Sequence, residues 1–370
     1  MAGERLRILH TESSLGWGGQ EIRVLTEARG VARRGHDVAI AAPEESRILQ
    51  AAAGYGVEAI ALPIARKSAQ GLLALTGLLR GRQFDLVNTH SSTDSWLAAV
   101  AACCQRRAPP IVRTRHISAP VPRNLATRWL YRSATRRIVT TGERLRLQVI
   151  EETGVDPGHV VSIPTGIDLD RFRPGPAAQA RADLGLAVDG RVIGIVATLR
   201  SWKGHRYLFE AFAGMADRAS RLLVVGDGPQ REALEALAKE LAIESRVTFA
   251  GNREDVAPWL RALDLFCLPS YANEGVPQAL MQAMACGLPV VSTPVGSIAE
   301  IVEDGVSGVL VPPQDGAALR AAIESLLADG SRRARLAAAA REAALRRFGE
   351  ERMVERMVEV FTVVARAARG

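Results

Sequence analysis

Residues 264–292 read DLFCLPSYANEGVPQALMQAMACGLPVVS. A short apolar strand runs to Leu268 and stops at Pro269-Ser270. A loop follows with one carboxylate, Glu274, and then Gly275. Pro277 suits the first position of a helix, where a missing N–H costs nothing and φ is already helical. That helix is expected to run through Met284 and end near Gly287, with Pro289 barring its continuation before a second strand at 290–292. Strand, helix and strand in one short span make a βαβ unit of a parallel sheet. The same reading puts an acid at a helix mouth, whose free N–H groups and positive dipole end favour anions. Glu274 is then either a charge partner of the helix end or an acceptor for a ligand. Gln282 follows eight residues later on the same helix.

Outward from this unit the same alternation fills the chain. Strands are expected at 7–12, 38–42, 58–63, 86–90, 111–115, 137–141 and 160–163, and again at 192–198, 221–225, 246–250, 265–268, 290–292 and 308–311. Helical patterns such as 20–34, 69–80, 206–216 and 230–241 lie between them. A charged, proline-bearing stretch at 168–176 separates the two series. The fold class is therefore α/β, with two Rossmann-like doubly wound domains, 1–170 and 171–347. A strongly patterned helix at 348–370 has no strand after it. Parallel sheets of this kind hold ligands at the carboxyl ends of their strands, and two facing sheets would place those ends around one interdomain cleft.

Composition agrees. The 370 residues are 48% hydrophobic but only 5% aromatic, which suits buried parallel strands under amphipathic helices. Four cysteines without CxxC spacing read as buried, reduced thiols of a cytoplasmic protein. The start MAGERLRILH is charged and does not read as a signal peptide. No apolar run is long enough to cross a bilayer. The net charge of +7 is uneven: residues 1–170 hold 22 Lys and Arg against 16 Asp and Glu, the remainder 25 against 24. Nine arginines and no acid fall within 101–142. That run reads as a solvated basic surface, or as a face for anionic lipid or a phosphorylated acceptor. Nucleic acid is disfavoured, since no binding module is present and few aromatics interleave the arginines.

The loops after the strands hold the candidate site residues. Gly16, Gly18 and Gly19 precede a helix starting near Gln20 and resemble a phosphate loop, although neither GxGxxG nor GxxxxGK[ST] is present. His90 and His116 each close a strand on the ligand edge. Arg200 and Lys203 share the loop ATLRSWKGH, where a bidentate guanidinium and a point charge would suit a diphosphate. Gly226 to Pro229 reads as a turn. The loop with Arg253 offers an edge for a nucleobase. No cluster has metal-site spacing, and Asp168-Leu169-Asp170 reads as structural.

GWGGQE (16–21), RTRH (113–116), IPTGIDLDRF (163–172), ATLRSWKG (197–204), VGDGP (225–229), FAGNREDV (249–256) and residues 270–291 together resemble the family-4 retaining glycosyltransferases (glycosyl transferases group 1) of GT-B architecture. The likeness covers nearly the whole chain, and its most specific part is 270–291. It implies that Gly18 and Gly19 approach a donor diphosphate, which Arg200 and Lys203 neutralise without a metal or other cofactor. It implies His116 near the reacting sugar, Glu274 accepting a sugar hydroxyl, and N–H groups from Gly275 and Val276 onward holding phosphate. His90 and Arg115 fall on the acceptor side. The family's E-x7-E pair is broken here, because Gln282 stands where a second glutamate binds the ribose. An amide still accepts a hydroxyl proton but lacks a carboxylate's charge. The last helix is expected to pack back on the first domain.

The resulting expectation is a hexosyltransferase moving sugar from a nucleotide sugar to a glycan or lipid-linked hydroxyl acceptor, in polysaccharide, lipopolysaccharide or glycolipid synthesis. It is expected in the cytoplasm, with its basic half offering a peripheral contact to the inner face of an anionic plasma membrane. Two rivals stand beside it. One is a sugar-nucleotide epimerase of similar fold. The other is a non-catalytic sugar-nucleotide-binding scaffold weakened at Gln282. A plain dehydrogenase is disfavoured, since no strand leads into GxGxxG.

Overall fold

The computed structural model describes residues 4–369. The chain divides into two compact units: the first runs to Gly166 and takes back the helix Glu350–Arg369, and the second is Ile167–Gly349. The division falls four residues before 170/171, because Ile167 already donates its N–H to the Phe348 carbonyl at 2.8 Å and bridges Gly349.

The first unit carries β1 (Arg7–Thr11), β2 (Asp37–Ala42), β3 (Glu58–Ala61), β4 (Leu86–Thr89), β5 (Ile111–Arg115), β6 (Thr135–Thr140) and β7 (Val160–Ser162). They form one parallel sheet in the order β3-β2-β1-β4-β5-β6-β7. The second unit carries β8 (Val192–Val196), β9 (Arg221–Val225), β10 (Val247–Gly251), β11 (Leu265–Leu268), β12 (Val290–Ser292) and β13 (Val309–Leu310). Their order is β10-β9-β8-β11-β12-β13, again parallel. In each sheet the chain builds outward from its first strand and then returns to that strand's other side. The resulting switch points lie between β1 and β4 and between β8 and β11, and ligands of doubly wound sheets bind at such reversals.

Burial follows the alternation of strand side chains. In β1, Ile8 and His10 face one helix layer while Leu9 faces the other. The first layer is completed by the last helix, whose Met353, Val354, Met357, Phe361 and Val364 recur at helical spacing and are all buried in it. Arg29 pins this helix at its start, donating to both oxygens of Glu350 at 2.9 Å.

Several local expectations need correction. Pro277 is the cap residue, with ψ 116°, and the helix proper is Gln278–Ala285. Its ring therefore sits one position outside the first turn. Cys267 and Cys286 are buried, but Cys103 and Cys104 are exposed where the helix Ser92–Cys103 ends. Asp168 accepts the backbone N–H groups of Asp170 and Arg171 at 3.1 and 2.9 Å, which makes the D-x-D a side-chain-closed turn.

Candidate active site

At the switch point of the second sheet, the loop after β8 meets the loop after β11. Lys203 ends a short 3-10 turn, Ser201–Lys203, and its Nζ lies 2.6 Å from Glu274 Oε1. Ser270 Oγ donates to the same oxygen at 2.6 Å. Glu274 is 3% exposed and so is a buried, paired carboxylate rather than a charge partner of the helix end. Two glycines hold this geometry. Gly204 has φ +75°, and a Cβ there would run into the Pro269 carbonyl oxygen. Gly296 has φ +59°, and a Cβ there would strike the Glu274 carbonyl oxygen. L side chains rarely adopt such angles, so glycine alone lets the backbones close on each other. Tyr271 N–H also donates to the Trp202 carbonyl at 2.8 Å, stitching one loop to the other.

The remaining candidates of this unit are arranged around that pair to different degrees. Arg200 is exposed, with its guanidinium 5.7 Å from the Trp202 ring centre, and pairs with no carboxylate among the described residues. Gly275 and Val276 are buried between Glu274 and the helix start. Gln282 is half-buried one turn down that helix. Arg253 is exposed at the end of β10, where its Nε donates to the Ala250 carbonyl at 2.9 Å and its guanidinium covers Trp259.

In the first unit the glycine loop is extended where it enters its helix. Gly18 caps the helix Gly19–Arg33 with φ −173°, an extended angle open to any residue. What the glycines supply is the absence of a side chain, not a left-handed turn. The loop is anchored by Glu12, which accepts the Ser14 N–H and the Gln20 amide. Burial, reinforced by the charge of Asp94, pushes the Glu12 carboxyl up to about 8.

Beside this loop three histidines form a file at the first switch point. His10 Nδ1 is 2.9 Å from His90 Nε2, and His90 Nδ1 is 3.0 Å from His116 Nε2. Asn88 and Thr114 face the same way one pleat earlier: Thr114 donates to the Asn88 oxygen, and the Asn88 amide donates to Glu27, each at 3.0 Å. Arg23, buried above them, has its Nε 3.6 Å from Glu27 and donates to the Ile163 carbonyl at 2.9 Å. Burial holds all three imidazoles neutral, His10 down to about 3 and the other two well below the usual range. Burial likewise raises Glu27 to about 7, against the pull of Arg23. His10, Glu27 and His90 offer ligand atoms within 4.8 Å of one another, a donor set that sequence spacing did not reveal. The Arg23 guanidinium already attends Glu27 and would repel a further cation.

His116 opens onto a cavity of about 450 Å³ within the first unit, whose lining includes Lys67, Arg113, Arg115, Trp96 and Tyr131. No carboxylate lines it among the described residues. Arg113 is 5% exposed and its Nη1 has no partner, while its guanidinium lies 4.4 Å from the Tyr131 ring centre. Arg115 Nη1 donates to the Tyr131 hydroxyl at 3.1 Å. Two of the nine arginines in 101–142 thus turn inward, so the run is not simply a solvated surface. Sequence reasoning missed His10, Lys67, Arg113 and Ser270. The strand period could have found His10, since it aligns with Asn88 across β1 and β4.

Residues 17–171 match the family Glycosyltransferase Family 4, and residues 190–329 match Glycosyl transferases group 1. A D-inositol 3-phosphate glycosyltransferase of Xylanimonas cellulosilytica is 32% identical, over 93% of this chain and 91% of that protein. One of the same name from Mycobacterium bovis is 33% identical, over 84% and 71%. Among solved structures, Anabaena HepE in complex with UDP-glucose superposes with a TM-score of 0.88 at 22% identity, over 97% of this chain and all of that one. Sucrose-phosphate synthase of Thermosynechococcus elongatus gives 0.82 at 23%, over 98% and 100%. At these identities the two structures speak for the fold, and the sequence relatives for the kinship. The chain belongs to the family-4 glycosyltransferases, glycosyl transferases group 1, and is a glycosyltransferase built of two Rossmann-like domains of the GT-B architecture.

Proposed function

We propose that this enzyme transfers a sugar from a nucleoside-diphosphate donor to a hydroxyl acceptor that carries an anionic group, with retention of anomeric configuration. The observation that carries the reading is the Lys203–Glu274 pair at the second switch point, with Arg200 uncommitted beside it in the same loop. Lys203 and Arg200 supply the counter-charge for a departing diphosphate, and the N–H groups of Gly275, Val276 and the following turn add to it. Both bonds to Glu274 fall on Oε1, which leaves Oε2 for a donor-sugar hydroxyl. Gly18 and Gly19 give the diphosphate a bare backbone to approach, and Arg253 borders the nucleobase. HepE was solved with UDP-glucose, which supports a nucleotide sugar as donor.

The acceptor reading rests on the first-unit cavity. An almost fully buried guanidinium with a vacant N–H, in a cavity without acids, is completed by an anion. The relatives' name, with its phosphorylated polyol, points the same way. In this reading His90, Arg115 and His116 border the acceptor. Release of nucleoside diphosphate, followed with a phosphorylated polyol and with its unphosphorylated form, tests it. Arg113→Gln should raise KM for the phosphorylated acceptor roughly tenfold or more and leave the other nearly unchanged. Equal effects on both would remove the anion from the reading.

Gln282 is assigned to the ribose hydroxyls. Gln282→Glu should then tighten nucleoside-diphosphate binding by about tenfold in calorimetry, the worth of one charge-assisted hydrogen bond. Unchanged affinity would place the ribose elsewhere.

No helix among the described residues is long and apolar enough to cross a membrane. We assign the exposed Arg128, Arg132 and Arg136, with the exposed Leu125 beside them, to contact with an anionic membrane, in keeping with a role in cell-envelope glycan or glycolipid synthesis. In flotation, the protein should rise with anionic vesicles, and Arg132→Ala/Arg136→Ala should weaken this. Equal binding to neutral vesicles would count against the assignment.

A further inference from the structure

The histidine file has a direction that its geometry decides. A neutral imidazole has one N–H and one lone pair, so each ring-to-ring bond fixes the tautomers of both partners. The inner end sets the sense. His10 Nε2 is buried and without a partner. A buried N–H left without an acceptor is rarer in proteins than a bare acceptor. Nε2 is therefore the lone pair, and the His10 proton sits on Nδ1, facing His90 Nε2 at 2.9 Å. His90, accepting at Nε2, carries its proton on Nδ1 and gives it to His116 Nε2 at 3.0 Å. His116 must then hold its own proton on Nδ1.

We propose that His10 and His90 are positioning residues that impose the Nδ1–H tautomer on His116, so that it meets the cavity's occupant as a neutral hydrogen-bond donor to a hydroxyl or phosphate oxygen. An imidazole side chain free in water favours the Nε2–H form, so the file selects the minority form. The surroundings hold the arrangement in place. His10 is wedged edge-on against Phe361 of the last helix. Burial, with a smaller contribution from the charge of Arg23, lowers the basicity of both His90 and His116, which keeps a second proton off the file. Asp94 accepts the His90 backbone N–H at 2.9 Å and fixes where that residue leaves β4. A neutral donor suits this place better than an imidazolium, because Arg113 and Arg115 already supply the cavity's positive charge.

The inference rests on reading the cavity as the acceptor's, but its test does not. In 15N-histidine-labelled protein without substrate, two-bond 1H–15N spectra distinguish the tautomers, and comparison with His116→Gln assigns the resonance. His116 should appear as the Nδ1–H form. In His90→Phe, which removes the donor to Nε2, it should move toward Nε2–H, with kcat lowered roughly tenfold and the nucleotide-sugar KM within about twofold. The Nε2–H form in the wild-type protein would overturn the proposal whatever His90→Phe does to folding, as would an unchanged tautomer in a folded His90→Phe. Glycosyl transfer can stand if this fails, and the tautomer can stand if the acceptor reading fails.

Discussion

Lys203→Ala should lower kcat about a hundredfold or more, with a smaller effect on donor KM. A cation aimed at charge that develops in the transition state is worth on the order of 3 kcal/mol, and that energy is about two decades of rate. Lys203 has the placement for such a role. It is held at the reversal of the second sheet, one-fifth exposed, by a glycine turn that no other residue would fit as closely. The substitution also leaves Glu274 buried beside Ser270 without a cation. Breaking a buried pair from one side costs up to about 3–5 kcal/mol, so lost stability could mimic lost catalysis. The double variant Lys203→Ala/Glu274→Gln separates the two, because it removes the stranded charge. It should recover most of the lost melting temperature and none of the turnover. Full turnover in a folded Lys203→Ala protein would end the diphosphate role.

Acid should unfold the first domain steeply, and only below about pH 4. The sign follows from the groups at its switch point. His10, His90 and His116 have their pKa values held down in the folded chain, His10 to about 3. Below the unfolded value near 6.5, the unfolded chain takes protons that the folded chain refuses, so stability falls with pH. Glu12 and Glu27 are held up, at about 8 and about 7. They keep protons that the unfolded chain releases above about 4.5, so they favour folding as pH falls toward that value. Burial holds the Asp94 carboxyl up as well, so between pH 6.5 and 4.5 three carboxyls oppose the three histidines. Below about pH 4 all three carboxyls are protonated in either state, and the histidines act alone, each at roughly 1.4 kcal/mol per pH unit. Urea unfolding at pH 5.5, 4.5 and 3.5 measures the slope. Ion-paired surface carboxylates add to it, so His10→Leu is the control and should remove close to a third of the histidine part. A slope no steeper below pH 4.5 than above it would mean that the file is not held neutral.

Much of this was legible before any coordinates. Strands bounded by glycine and proline carry their own punctuation, and β5, β9, β11 and β12 fall where the pattern puts them. The loops after the strands hold the candidate residues at the two switch points. What the pattern could not supply was pairing. Lys203 and Glu274 are 71 positions apart, and only the strand order β8-β11 makes their loops neighbours. The histidines suffered the same fate. Judged one at a time, each is a strand-end residue with an ordinary structural explanation, and a file appears only when β1, β4 and β5 lie side by side. Arg113 is hidden in its run, because a series of like charges says nothing of which way each one turns. Its neighbour Thr114 points to the opposite face and bonds Asn88, which leaves Arg113 to stack on Tyr131. Pro277 lies one residue before the first turn, and proline at a cap and proline in the first turn leave the same trace in a sequence.

The helix Glu350–Arg369 also sets a timetable. It fills one side of the first domain's interior, yet it follows the whole of the second unit in sequence and is translated after it. The first unit is therefore begun before its neighbour and completed only after every residue of that neighbour has been translated. Until then Ile8, Leu86 and Val112 lack their cover, and His10 lacks Phe361. A chain truncated before residue 350 would keep every loop of the second unit and still leave the first unit open on one side.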